Sequence, residues 1–510
     1  MGLGIGVLGA SRIAESAIVG PAAELGHRLV AVAARDRSRA ETFAGKYGVE
    51  RVVASYQDVI DDPEVDVVYN PLANSLHAPW NLAAIKAGKP VLSEKPFARN
   101  QSEARRVADV ADAAGVTVLE GFHYYFHPVT QRAFGLAADG ALGEITHVEV
   151  RMAMPAPDDD DPRWSLDMAG GALMDLGCYG LHIMRSLGRL EVPGVGGRPS
   201  ITRAHAEQRT PGVDAWCDVE IWFPGGATGL SANSMVGDDH SHTIRIVGTA
   251  GDLLVHDFIT PSTDDRLTIN TPGGTTVERL GTRPSYTHQL KAFAAHVQHG
   301  APLPFGTADA VANLALVDAA TADEVVRTAE LSIKAAEALG VTRLNLHTAE
   351  LVDGNAARPR QRATGPMWLT AVRTLDRLGE LGAANGVTFC VENLNTIVDH
   401  PGVPLARAKD TLALVEAVAH PNVKMMLDLY HAQIGEGNLI ELVRRCGDAI
   451  GEIQVADVPG RCEPGTGEVH YPAIARALRN MGFHGTVGLE GWASGDSVAA
   501  LEAFRAAFTV

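Results

Sequence analysis

The stretch IGVLGASRIA at residues 5–14 carries a short apolar segment into the start of a helix through one glycine. Ile5 to Leu8 reads as a buried strand, and Gly9 to Ala14 as the turn that opens the helix. A second apolar run, Leu29 to Ala34, ends at Arg35 and Asp36. Further strand candidates lie at Val65–Tyr69, Val91–Leu92 and Val116–Leu119, with helical stretches such as Glu41–Tyr47 and Trp80–Ala87 between them. Strands alternating with helices at a spacing of about 25 residues predict a parallel, doubly wound sheet. Gly4, Gly6 and Gly9 also spell GxGxxG, but too few residues precede Gly4 to form the strand that this motif follows. The working frame starts at Gly9, with Ser11 at the middle glycine position and Ala14 at the third.

A turn of this kind lets the backbone approach a pyrophosphate seated on the helix N-terminus, so a dinucleotide cofactor is expected across it. Arg35 indicates which one. An acid at the end of the second strand would hydrogen-bond the ribose of NAD, whereas an arginine pairs with a 2′-phosphate. Arg37 and Arg39 add positive charge nearby, partly offset by Asp36 and Glu41. NADP is expected, with NAD as the alternative.

The chain has 510 residues, enough for about three domains. Hydrophobic residues make up 46% and charged residues 20%, which excludes a largely disordered chain. The formal net charge of −18 is spread along the sequence and argues against nucleic acid or anionic membrane as a partner. The five cysteines (Cys178, Cys217, Cys390, Cys446, Cys462) form no CxxC and no zinc-type cluster, and read as reduced thiols of a cytoplasmic protein. The opening MGLGIGVLGAS has neither the basic region of a signal peptide nor the length of an anchor.

Several ordered stretches resemble the Gfo/Idh/MocA oxidoreductases, most closely their dihydrodiol dehydrogenase-like branch. They are GVLGASRIA (6–14), AVAARD (31–36), Asn74-Ser-Leu-His77, Glu94-Lys-Pro96, Glu120-Gly-Phe122 and GGALMDLGCYGLH (170–182). The resemblance spans about residues 1–320. It implies an NAD(P)-binding Rossmann domain over 1–122 and a substrate and oligomerisation β-sheet domain over 123–320. It also implies cofactor contacts at Gly9, Ser11, Arg12, Ile13, Arg35, Asn74, His77, Glu94, Lys95 and Pro96.

Glu94-Lys95-Pro96 follows a buried strand, at the edge where ligands bind in open α/β sheets. Hydride exchange at an alcohol or ketone needs a proton donor or acceptor beside the reacting carbon. Lysine can serve if desolvation lowers its pKa towards neutrality. The resemblance implies this role for Lys95. Asp175, Tyr179 and His182 are spaced four and three apart and would share one helix face, able to address a bound hydroxyl together. The resemblance places Tyr179 in catalysis, while His182 stands where the family usually carries an acid. From 123 to 320, runs such as Glu144–Met152, Asp214–Phe223, Ala227–Ala232, Thr243–Val247 and Leu267–Asn270 predict an open, mostly antiparallel sheet. Asp158–Asp161 reads as a solvated acidic loop.

Thr307 to Leu339 contains no glycine or proline and has apolar residues at helical spacing. It reads as one helix running into another, with a break near Thr321–Asp323. Five short strands follow: Val341–Leu346, Val387–Val391, Val423–Leu427, Ile450–Val455 and Thr486–Leu489. Their ends carry His347, Glu392, Asp428, Gln454 and Glu490. The last four lie 36, 26 and 36 residues apart, close to the βα repeat of a barrel whose strand ends surround one mouth. Three carboxylates and an amide oxygen suit Mg²⁺ or Mn²⁺. Val391-Glu-Asn-Leu-Asn395, Leu427-Asp-Leu-Tyr-His431, Gln454-Val-Ala-Asp457, the run Arg461 to Glu468 and Leu489-Glu490 resemble the hydroxypyruvate isomerase branch of the xylose isomerase-like barrels. That resemblance implies metal binding by Glu392, Asp428, Gln454 and Glu490, an acid/base pair in Glu392 and Glu490, and substrate contacts at His431 and Arg461. Five strands over 325–510 make a partial (β/α) barrel, which the usual tilt and shear do not close.

The expected fold is therefore α/β plus α+β: a Rossmann domain, an open antiparallel sheet and a partial barrel. The expected function is an NADP-preferring oxidoreductase acting on a small sugar, polyol or diol, working as a homo-oligomer. The alternative is a bifunctional protein with a metal-dependent isomerase in the barrel, and a third reading makes the barrel an assembly module.

Overall fold

The computed structural model describes residues 2–210, 212–349, 351–352, 354–356 and 359–509, which divide into two compact units, Met1–Thr321 and Ala322–Val510. The first unit begins with strands β1 (Gly4–Leu8), β2 (Arg28–Ala33), β3 (Arg51–Val52), β4 (Val67–Asn70), β5 (Val91–Ser93) and β6 (Val118–Glu120). They form one parallel sheet in the order β3-β2-β1-β4-β5-β6. β1 pairs with both β2 and β4, so the direction of winding reverses beside it. Ligands of open α/β sheets bind at such a reversal, beyond the carboxyl ends of the strands. Gly9 is needed there: its φ is +91°, and an added Cβ would lie 2.9 Å from Leu72 Cδ2. Side-chain caps fix the crossover helices. Asp36 accepts from Ser38 N at the start of helix Arg37–Tyr47, and Ser55 and Asp58 cap helix Tyr56–Asp61 reciprocally.

The rest of this unit is an eight-stranded sheet. Its strands are β7 (Ile145–Ala153), β8 (Ser200–Thr210), β9 (Val213–Trp222), β10 (Thr228–Ser234), β11 (Ser241–Gly248), β12 (Gly251–Val255), β13 (Arg266–Thr271) and β14 (Gly274–Arg279). The order is β14-β13-β12-β11-β7-β10-β9-β8, antiparallel except for the β7–β10 pair. Polar strands such as β8 and β14 escape a hydrophobic reading because most of their side chains face solvent at the sheet edges. The two sheets share one apolar core, which also takes in Ala310, Leu314, Val317 and Ala320. Those four lie on a single helix, Thr307–Leu339, where sequence reading expected a break. The helix continues because its later apolar residues, Ala329 and Ile333, serve the separate core of the second unit.

That second unit contains β15 (Arg343–Leu346), a small hairpin of β16 (Leu351–Val352) and β17 (Asn355–Ala356), then β18 (Thr388–Glu392), β19 (Val423–Asp428), β20 (Ile450–Val455) and β21 (Thr486–Leu489). The five longer strands form a parallel sheet, β15-β18-β19-β20-β21, with β15 and β21 as edges. Alternation explains why it stands without further strands. One face, bearing Leu344, Phe389, Val391, Met425, Leu427, Ile453 and Val455, packs into the helix-backed core. The opposite face bears Asn345, Glu392, Lys424, Asp428, Glu452 and Gln454. The interior of a closed barrel is filled with layers of branched apolar side chains. This face is mostly polar instead, although it also buries Cys390 and Met426.

Separate cores predict separable unfolding. Phe389→Ala removes a ring that is 1% exposed and should cost the second unit about 3–5 kcal/mol. Urea denaturation followed by hydrogen exchange should show early exposure of β18 to β20, with β1 to β6 unchanged; equal loss of protection in both units would contradict the separation.

Candidate active sites

At the first turn, the Gly9 N–H donates to Ala33 O at 2.7 Å, tying the turn to β2. The buried Ser11 hydroxyl has no hydrogen-bond partner among the described residues. An unsatisfied donor at a helix start suits a phosphate oxygen, so the turn fits the dinucleotide expected there. Arg39 donates to Ala10 O at 3.1 Å and brings its guanidinium to the turn. Arg35 is exposed at the end of β2, while Arg37 is engaged by Glu41 at 2.8 Å. Ile13 is also exposed. Arg12 reaches Asp161 Oδ2 at 3.3 Å. Asp161 also accepts from Arg163 and is 9% exposed, so the acidic loop is not wholly solvated as its composition suggested.

Beyond β5, Glu94 is buried and accepts from the Tyr69 hydroxyl at 2.9 Å; burial raises its pKa. Lys95 is the centre of the crevice. Its Nζ lies 2.8 Å from Asp175 Oδ1, 2.7 Å from the Asp175 carbonyl and 5.2 Å from the centroid of the Tyr179 ring. Burial alone would pull this ammonium down, but the Asp175 carboxylate outweighs it and the net shift is upward. The expectation that desolvation brings Lys95 towards neutrality is therefore corrected: the ion pair keeps it charged. Asp175 is itself depressed to about 2, because Lys95 and Arg163 together overcome the cost of its burial. Arg163 Nε donates to Asp175 Oδ2 at 2.9 Å, leaving the three groups with one net positive charge.

Asp175 falls in the segment Leu173–Gly177, followed by helix Cys178–Arg189, and the three polar side chains expected on one face diverge. The Tyr179 hydroxyl lies 3.4 Å from His123 Nε2. His182 faces away from Lys95's partners: it stacks on Phe122 at 4.0 Å, and its Nδ1 lies 2.6 Å from the Tyr124 hydroxyl. Its Nε2 is 3.2 Å from Asp309, and burial lowers its pKa to about 4. His77 is buried between the Pro96 and Leu72 carbonyls, at 2.7 and 2.8 Å, and supports the loop around Lys95 from behind. Asn74 donates to Ala169 O at 2.9 Å. Sequence reasoning missed His123, Ser285 and Arg163; the first directly follows the quoted Glu120-Gly-Phe122, a usable signal.

In the second unit, the polar strand ends do gather. Glu392 accepts from Asn345 and lies 3.0 Å from His347 Nε2. Glu392, Asp428 and His431 bring ligand-type atoms within 4.8 Å of one another. Asp428 is opposite Gln454 in register, and the Gln454 Oε1 is buried without a partner among the described residues. Burial pushes the Asp428 pKa well up, with Glu392 and Glu490 adding repulsion that Arg461, 3.9 Å from Asp428, does not offset. These donors fit a divalent cation. Glu490 differs from its expected partners in being paired with Arg461 at 2.8 Å and about half exposed. His431 is placed by Asn395: the Asn395 Oδ1 accepts from two backbone N–H groups, so its Nδ2 donates to His431 Nδ1 at 2.7 Å. That bond leaves the proton on Nε2, which faces the carboxylates as a donor and not as a metal-binding lone pair.

The oxidoreductase family with an NAD-binding Rossmann fold matches residues 3–122, and the GFO/IDH/MocA C-terminal domain matches residues 130–254. The chain belongs to the Gfo/Idh/MocA oxidoreductases. The xylose isomerase-like TIM barrel family matches residues 273–507, a span that begins seventy residues ahead of β15. The D-xylose 1-dehydrogenase (NADP(+)) 2 of Haloferax volcanii is 31% identical over 62% of this chain and 95% of its own length. The trans-1,2-dihydrobenzene-1,2-diol dehydrogenase of Sus scrofa is 32% identical over 44% of this chain and 65% of its own. Among solved structures, KijD10, a 3-ketoreductase from Actinomadura kijaniata in complex with NADP and TDP-benzene, superposes with a TM-score of 0.57 at 26% identity, covering 62% of this chain and 97% of that one.

Removing the countercharge exposes the lysine. With Asp175 neutralised, burial and the Arg163 charge disfavour the Lys95 ammonium, and the one opposing group, Cys178, is kept a neutral thiol by its own burial. Asp175→Asn should therefore move the alkaline limb of the pH–kcat profile to lower pH than in the parent enzyme; superimposable limbs would contradict the geometry.

Proposed function

We propose that the first unit is an NADP-preferring oxidoreductase that moves a hydride between nicotinamide and a small sugar, polyol or diol. The observation that carries this reading is the charged Lys95, paired with Asp175 and lying over the Tyr179 ring, at the carboxyl edge of the Rossmann sheet. Bound nicotinamide supplies or accepts the hydride. Ser11, Arg35 and Arg39 bind the phosphates, with Arg35 and Arg39 nearest the 2′-phosphate. Lys95, held in place by Asp175, orients the reacting oxygen and stabilises negative charge on it. Tyr179 gives its hydroxyl proton to that oxygen in reduction and takes one back in oxidation. The NADP-named dehydrogenase and the NADP-bound ketoreductase support both the cofactor and the substrate class. The eight-stranded sheet, with Trp222 and Val277 exposed, supplies a homo-oligomer surface in this reading. Free thiols at all five cysteines accord with a reducing, cytoplasmic setting, and no described helix is long and apolar enough to cross a membrane.

A panel of aldoses, polyols and trans-diols assayed with NADP⁺ and NAD⁺ separately tests the reaction. Arg35→Ala should weaken NADPH binding roughly 10–100-fold, the worth of a charge-assisted hydrogen bond to phosphate, and leave NADH binding unchanged. Intrinsic NADPH fluorescence titration measures it, and equal loss for both cofactors would remove Arg35 from the 2′-phosphate.

A second reading is favoured by the unpartnered Gln454 oxygen beside the raised Asp428. In it, Glu392, Asp428, Gln454 and Glu490 hold Mg²⁺ or Mn²⁺, which would polarise a carbonyl or hydroxyl oxygen. Glu392 and Glu490 then exchange a proton with adjacent carbons, and His431 and Arg461 hold substrate oxygens. Mn²⁺ at 100 times its Kd should stabilise the second unit by about 2.7 kcal/mol. Thermal denaturation with and without Mn²⁺ checks this, and Asp428→Asn should abolish the effect; identical unfolding with and without the ion would leave the barrel without a metal.

A further inference from the structure

The Tyr179 ring sits among Phe122, Tyr124 and Phe258, with centroids 5.4, 5.9 and 6.2 Å away. Burial drives its pKa well above the ordinary tyrosine value, so a phenolate there needs stabilising donors. Lys95 stands 5.2 Å from the ring centroid, and its ammonium already serves the Asp175 carboxylate and carbonyl. The Tyr179 hydroxyl lies 3.4 Å from His123 Nε2. The imidazole is fully buried, stacked on Tyr286 at 3.8 Å, and its Nδ1 lies 2.7 Å from the Ser285 hydroxyl. Three groups thus lie in line from Ser285 through His123 to Tyr179, and none of them is explained by the roles given to Lys95 and Asp175.

A neutral imidazole carries one proton. With it on Nδ1, the ring donates to Ser285 and the Tyr179 hydroxyl donates to Nε2, which turns the tyrosine proton away from any substrate. With it on Nε2, the Ser285 hydroxyl donates to Nδ1 and the ring donates to the tyrosine oxygen, leaving the tyrosine proton free to point at the reacting oxygen. Serine permits the second arrangement because its hydroxyl can donate, which a carboxylate or carbonyl at that position could not do. We infer that His123 is a positioning residue of the oxidoreductase site: the Ser285 hydroxyl donates to its Nδ1 and so favours the Nε2–H tautomer, and that N–H supports the Tyr179 oxygen while the tyrosine proton is transferred. The inference rests on the proton role proposed for Tyr179. In reduction the O–H bond of Tyr179 breaks as the new O–H bond forms on the substrate oxygen, and the phenolate is held by Nε2–H. His123 neither gains nor loses a proton. The ring is suited to this, since burial lowers its pKa to about 3 and keeps it neutral. Lys95, His127 and His242 oppose its protonation and Asp257 favours it, with Tyr179 and Tyr286 the titratable groups in direct contact.

The test uses the full-length chain saturated with NADP⁺. ¹⁵N-histidine NMR, with His123 assigned by His123→Gln, should show a protonated Nε2 and a bare Nδ1. A Nδ1–H tautomer would overturn the inference. [¹³Cζ]tyrosine NMR, with Tyr179 assigned by Tyr179→Phe, reads the second consequence. His123→Leu should raise the Tyr179 titration by about one pH unit or more, while His123→Gln, whose amide restores a donor at the Nε2 position, should largely reverse the shift. An unchanged titration in His123→Leu, or no difference between the leucine and glutamine variants, would refute the role. Ser285→Ala, which leaves both rings in place, should release the tautomer if the imidazole variants prove unstable; an unaltered ¹⁵N spectrum in Ser285→Ala would equally refute it. Full turnover by Tyr179→Phe with D-xylose or another accepted sugar would instead remove the proton role of Tyr179. The two failures are therefore distinct.

Discussion

Two opposite charges held out of water, Lys95 and Asp175, set the conditions for everything around them in the first unit. Taking Asp175 away would leave Lys95 buried and uncompensated, at a cost of about 3–5 kcal/mol, whereas Asp175 without Lys95 keeps Arg163. Their 2.8 Å contact also joins two parts of the sequence that lie eighty residues apart, the loop after β5 and the segment before helix Cys178–Arg189. Arg163, which Asp161 also engages, adds a second cation to Asp175, so Lys95, Asp175 and Arg163 together carry one net positive charge. A site of that sign favours an alkoxide or a developing oxyanion over a neutral alcohol. Charge placement, more than a neutralised lysine, is what this arrangement offers to hydride exchange.

The Rossmann sheet was readable because its physical requirements leave plain marks. A glycine must take positive φ at Gly9, and the buried parallel strands must be apolar runs such as Val30 to Ala33. The two-residue strand β3 left no such mark, and neither did the polar edges β8 and β14. At the site, Lys95 was legible from its place after a buried strand, and Asp175 and Tyr179 from their spacing, with the family resemblance supplying the roles of Lys95 and Tyr179, but the directions of the side chains were not. Helical periodicity put His182 beside them, and the structure turns it to Asp309, on a helix whose contribution to this core no local pattern reveals. The upward shift of Lys95 was likewise out of reach, since it depends on a partner distant in sequence.

The second unit shows what a fold keeps when part of its expected barrel is lacking. Each of its five strands was visible as an apolar run, because one sheet face still has to bury against helices. The other face carries Glu392, Asp428 and Gln454 into one polar cluster, with Asn345 and His347 closing on Glu392 from the edge strand. Asn395 holds His431 in a single tautomer beside them. Ordering of this kind costs conformational entropy and leaves buried groups unsatisfied, which accords with a ligand in that cluster more readily than with a purely structural role.

The most direct measurement of the central claim is the ionisation of Lys95 itself. Selective ¹⁵N labelling of lysine, followed by NMR across alkaline pH in the NADP⁺ complex, reports the charge on its Nζ. The account predicts an ammonium that persists beyond the ordinary lysine midpoint of about 10.4. A Lys95 that loses its proton near neutrality would contradict it.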